Sequence, residues 1–103
     1  MSKPLRTYGT IRPSTSATLT SVAGATSSTT ILAANANRVG AIIFNDSTAI
    51  LYLRLSDSGA ATSANRSLDL APGDVYELPY GYQGLIVGIW ESATGNARVT
   101  EFT

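Results

Sequence analysis

The chain has 103 residues, seven basic against seven acidic side chains, and neither cysteine nor histidine. With those two residue types missing, a disulfide framework, a thiolate or imidazole metal site and a histidine general base are all excluded. The length suits one domain with a real core and little room for a deep cleft.

No apolar run approaches the ~20 residues of a membrane-spanning helix. The N-terminus has no apolar signal core, so neither a membrane nor an export address is expected. Charge is unevenly spread. Residues 1–40 carry Lys3, Arg6, Arg12 and Arg38 and no acid, whereas all seven carboxylates follow. A basic leader on an acidic body points to a leader that meets a negative surface. Nucleic acid is not expected, because the cations are sparse, not interleaved with aromatics, and the net charge is zero.

Residues 1–15 hold Pro4 and Pro13 and few core formers, and they are expected to form a mobile arm. Residues 16–103 are expected to be a single domain. Ser16 to Val22 reads as a first edge strand and Thr29 to Ala33 as a second. The stretch from Arg38 to Leu55 then sets two apolar runs around the polar tetrad Asn45-Asp46-Ser47-Thr48, a pattern that predicts a hairpin. In that hairpin Ile42 opposes Leu51, Phe44 opposes Ala49, Ile43 opposes Ile50 and Ala41 opposes Tyr52. Both of its faces are apolar, so cover from two directions is expected, one of them a neighbouring subunit. Ile43, Ile50, Tyr52 and Trp90 are the residues expected at that oligomer interface.

Ser56 to Asn65 reads as a polar loop. Leu68 and Leu70 alternate with Ser67 and Asp69, as in a strand with one wet face. Ala71-Pro72-Gly73-Asp74 has the residues of a type II turn. Val75 to Leu78 returns as a strand that stops at Pro79. Leu85 to Trp90 is a second two-sided strand, and Ala97 to Phe102 closes the chain. Seven or eight short strands with no helical period predict an all-β antiparallel sandwich or jelly roll.

Catalytic constellations are missing from this pattern, and the chain is not expected to be an enzyme. Asp74 and Glu77 are three apart on a strand, which sends them to opposite faces. Asp46, Asp57 and Asp69 lack the spacing of a calcium loop and read as turn caps. No cofactor or metal is expected. Tyr80 and Tyr82 offer rings on which a sugar could stack, although a turn tyrosine more often packs its ring and wets its hydroxyl.

Four segments carry a resemblance: N-R-V-G-A-I-I-F-N-D-S at 37–47, Leu51-Tyr52-Leu53, L-A-P-G-D-x-Y-E-L-P at 70–79 and G-I-W-E-S-A-T-G-N-A-R-V-T-E at 88–101. Together they resemble a family of small tailed-bacteriophage proteins with a variable Ser/Thr-rich N-terminus. The resemblance covers residues 29–103 and implies a virion structural protein, a capsid decoration or cement protein above all. It implies an oligomer, a homotrimer as the expected number, made in the host cytoplasm and bound to the major capsid protein on the head surface. Members of the family use an N-terminal arm to grip the shell; the arm here lies outside the matched stretch, and its own positive charge makes Lys3, Arg6 and Arg12 the expected capsid contacts. The alternatives are a tail, fibre or head-completion component, or a carbohydrate-binding sandwich module.

Overall fold

The computed structural model describes residues 12–103, and among them there are eight strands and no helix. They are β1 (Ala17–Ala23), β2 (Thr29–Leu32), β3 (Gly40–Asp46), β4 (Leu51–Leu55), β5 (Leu68–Leu70), β6 (Val75–Glu77), β7 (Ile86–Trp90) and β8 (Asn96–Phe102). Sheet A has the order β1-β8-β3-β6 and sheet B the order β2-β7-β4-β5, all pairs antiparallel. Every connection crosses from one sheet to the other except β4 to β5. That interleaved order is a jelly roll.

Alternation along each strand builds the core. Sheet A sends Ala41, Ile43, Ala97 and Val99 inward, and sheet B sends Ile31, Leu51, Leu53, Ile86 and Trp90 to meet them. Gly88 lies between Leu51 and Ile31, where a Cβ would collide with both side chains. The Pro72-Gly73 turn forms as expected, with Gly73 at φ +84° and Asp74 N–H bonded to Ala71 C=O at 3.0 Å.

The central hairpin does not form. β3 pairs with β8 and β6, placing Ile42 beside Thr100 and Glu77, while β4 pairs with β7 and β5, placing Leu51 beside Trp90 and Leu70. The reason is Asn45. It is the last inward residue of β3 and is fully buried, and its amide nitrogen donates to Ala49 C=O at 2.9 Å and Leu70 C=O at 2.8 Å. Its Oδ1 accepts from Ser47 Oγ at 2.7 Å. Leu70 belongs to sheet B, so the polar tetrad is a corner that carries the chain between sheets. Gly95, at φ +59°, closes the opposite turn against this corner, where a side chain would strike Asp46 and Ser47.

Arg38, counted above with the basic leader, is instead an internal staple, 1% exposed. Its Nε pairs with Glu101 at 2.8 Å, Nη1 donates to Gly84 and Tyr82 carbonyls, and Nη2 donates to Ala33 C=O at 2.6 Å. One guanidinium thus joins β8, the loop before β7 and the loop after β2. A buried charge is tolerable only with such partners.

Candidate interaction surface

The outer faces of the two sheets differ. On sheet B the outward residues are Tyr52 and Arg54 of β4, Val87 and Ile89 of β7, Thr30 of β2 and Asp69 of β5, placed by their register with inward neighbours. The loop between β4 and β5 folds back over them. Arg54 Nη1 donates to Ala60 C=O at 3.0 Å, and Ala61 N–H donates to Ser28 Oγ at 2.9 Å. Ala61 and the outward Val87 are both buried as a result. The polar loop of the sequence is the second cover of this sheet.

Beside that loop lies an open groove of about 440 Å³, lined by Tyr52, Ile89, Trp90, Glu91, Thr26, Thr62 and Ser63. Arg66 sits over the Tyr52 ring, 5.0 Å from its centre, and pairs with Asp69. The Tyr52 hydroxyl donates to Glu91 Oε2 at 3.3 Å. Burial first, and then the Glu91 carboxylate, push the Tyr52 phenol above its ordinary pKa.

Sheet A has no comparable cover among the described residues. Its outward side chains include Leu19 and Ser21 on β1, Thr100, Arg98 and Phe102 on β8, Ile42 and Phe44 on β3, and Val75 and Glu77 on β6. Leu19 is 75% exposed and Val75 59%. Between them Ile42 and Phe44 are half-buried, and Arg98 bridges Asp46 at 2.9 Å and Ser21 Oγ at 2.8 Å. At one end of the face a shallow groove of about 150 Å³ is rimmed by Ile42, Glu77, Tyr80 and Phe102.

The expected site residues separate in space. Ile43 and Trp90 are enclosed in the core, 0% and 1% exposed, and have no surface to give a second copy. Both are expected on the face left for a partner, but they lie on the face that meets the opposing sheet. Ile50 is half-buried at the corner, and Tyr52 lies on the covered face of sheet B. Tyr80 and Tyr82 do not form one stacking platform. Tyr80 is 56% exposed, whereas Tyr82 packs on the core and donates to Leu85 C=O at 2.7 Å. Of the arm cations, Lys3 and Arg6 lie outside the described residues. Arg12 is exposed, with its guanidinium on Asn37 C=O at 2.8 Å and its amide on the Tyr80 hydroxyl at 3.3 Å.

Asp46 and Asp69 are each held by an arginine, and no group of three metal-ligating side chains occurs among the described residues. No protein-family model, curated protein or solved structure matches this chain.

Proposed function

We propose that the chain is a non-enzymatic structural protein of a tailed-bacteriophage virion, bound to the major capsid protein on the head surface as a symmetric homo-oligomer. The observation that carries this reading is the bare outer face of sheet A. A single domain that covers one sheet with its own loop and, among the described residues, leaves Leu19 and Val75 exposed and Ile42 and Phe44 half-buried on the other is suited to a second macromolecular surface. The sequence resemblance to small phage proteins supplies the setting, and the basic arm supplies a second contact, strand addition to a shell edge joined by cation–carboxylate contacts.

The test is binding to empty expanded capsids. Leu19→Ser with Val75→Ser, and separately removal of residues 2–15, are each expected to weaken binding about tenfold, a change of about 1.4 kcal/mol. Binding unchanged in both variants overturns the reading. A tail, fibre or head-completion role is favoured if wild-type protein ignores capsids yet is found in purified virions. The carbohydrate reading moves from Tyr80 and Tyr82 to the groove beside Tyr52, where a ring, hydroxyls and a carboxylate converge. Glycan binding lost in Tyr52→Ala would favour it.

A further inference from the structure

The four edge strands of the sandwich are not equally protected. β5 and β6 are three residues long, and each carries one charge with another close by in sequence: Asp69 in β5 with Arg66 before it, Glu77 in β6 with Asp74 before it. β6 also ends against Pro79. β2 is four residues long with a register shift between Thr30 and Leu32. Short length, charge, proline and bulges are the devices by which natural sheets avoid pairing with strangers. β1 has none of them. It is seven residues long, carries no charge and no proline, and pairs in unbroken register with β8 from Ala17 to Ala23. All of its side chains are exposed except the half-buried Val22, and among the described residues nothing covers its two faces or pairs with its outer edge.

We propose that the outer edge of β1 is a self-association site, and that its occupant is β1 of a second copy, antiparallel, with the two-fold axis through Thr20. The proposal deepens the oligomer part of the reading above and rests on it only in requiring that the chain self-associates. The register is self-compatible. Thr20 faces Thr20, Thr18 faces Val22, Leu19 faces Ser21 and Ala17 faces Ala23 across the axis. No charge meets a like charge, and a threonine–threonine pair on the axis is a favourable cross-strand pair. The two Leu19 side chains, the most exposed large apolar groups of the chain, become diagonal neighbours. Sheet A of each copy then joins its counterpart in a continuous eight-stranded sheet, and the two bare outer faces merge into one surface. An isologous edge closes two-fold, so the assembly is even-numbered rather than the trimer that the resemblance implies.

The contact is small beside the ~800 Å² per partner of a standard interface, so a dimer in the micromolar range is expected. Because the chain has no cysteine, a single introduced thiol reports the pairing without interference. Opposed Cβ atoms of ~4.5–5.5 Å separation are near disulfide reach. Purified Thr20→Cys is expected to oxidise to a covalent dimer. Thr18→Cys, whose counterpart is about four residues away along the partner strand, is expected to stay uncoupled. Thr20→Lys, which sets two ammonium groups on the axis, is expected to sediment as a monomer at about 100 μM, where wild type is a dimer. Wild type found monomeric or trimeric at that concentration, or Thr20→Cys and Thr18→Cys coupling equally, overturns the proposal. An oligomer in which Thr20→Cys fails to couple overturns the edge pairing and leaves the oligomer reading intact. A coupled dimer that ignores capsids upholds the pairing and removes the capsid-binding reading.

Discussion

Sheets A and B supply alternating side chains to one core, and each presents a second face with apolar residues on it. On sheet B the chain closes that face itself. The loop 56–67 is tied down by Arg54 and Ser28, and Val87 is buried although it points away from the core. On sheet A no described segment covers the equivalent face, and Leu19 and Val75 are more than half exposed. The difference teaches that an apolar outer face is not by itself an interface, since a polar loop can cover it. What marks sheet A is that an apolar face and an unguarded edge strand occur on the same sheet.

Substitutions that strike the shared core should not distinguish the sheets. Trp90→Ala removes a side chain buried between them and is expected to cost ~3–5 kcal/mol, read as a large fall in Tm with both sheets lost in one transition. Trp90→Phe should cost much less, because the indole N–H has no protein acceptor among the described residues to lose. If Trp90→Ala melts within a degree of wild type, the ring is not in the core.

The comparison sharpens at the loop. Arg54→Ala removes a donor from the exposed Ala60 C=O and is expected to cost ~0.5–1.5 kcal/mol. Amide exchange should accelerate in 56–67 and at Val87 while sheet A stays protected. Equal exchange in both sheets would mean that the loop is not the cover. On the bare face, by contrast, Leu19→Ser and Val75→Ser should each change stability by no more than ~0.5 kcal/mol while reducing self-association and capsid binding. A large loss of stability in either would place that residue in a packed environment instead.

The smallest effect concerns pH. Burial raises the phenols of Tyr76 and Tyr82, and burial with Glu91 raises that of Tyr52. A group whose folded pKa lies above its unfolded value stabilises fully below the unfolded value, near 10 for tyrosine, and loses that contribution as pH rises through the folded one. Tm should therefore be insensitive to these groups from neutrality to about pH 9 and fall above about pH 10. Tyr52→Phe should reduce the fall, because Tyr52 is then unable to ionise. A Tm unaffected by alkali would show that the three hydroxyls are as free as in an unfolded chain.

Strand positions were legible in the sequence because period-two alternation and turn chemistry are local. Of the seven or eight strands expected, eight form, within a residue or two of the segments read as strands. Pairing was not legible. Alternation says which face a residue occupies but not which strand lies alongside, and an even loop suits a hairpin and a corner equally. One signal was available: Asn45 falls at the same parity as Ala41 and Ile43, so the pattern placed a polar amide in the core. Such a group must find partners, and it found them across the sandwich. Arg38 carried no comparable signal, since its acceptors come from residues 33, 82, 84 and 101. The covering role of 56–67 was hidden for a similar reason. It rests on backbone groups and one alanine, which composition does not distinguish from an ordinary polar loop.

The pairing of β1 with β8 has a consequence for how the molecule is made. Ala17 lies beside Phe102 and Ala23 beside Asn96, so among the described residues the first strand waits for the last before it has a strand partner. Only β4 and β5 are both consecutive and paired, and every other ladder closes a long stretch of chain. Topologies of this kind fold in milliseconds to seconds rather than microseconds, because loop-closure entropy is lost before contacts return it. During synthesis β1 therefore stays without its strand partner until β8 has been made. In a crowded nascent population the β8 of another molecule competes for it, which makes strand exchange between copies the characteristic misfolding hazard of this chain.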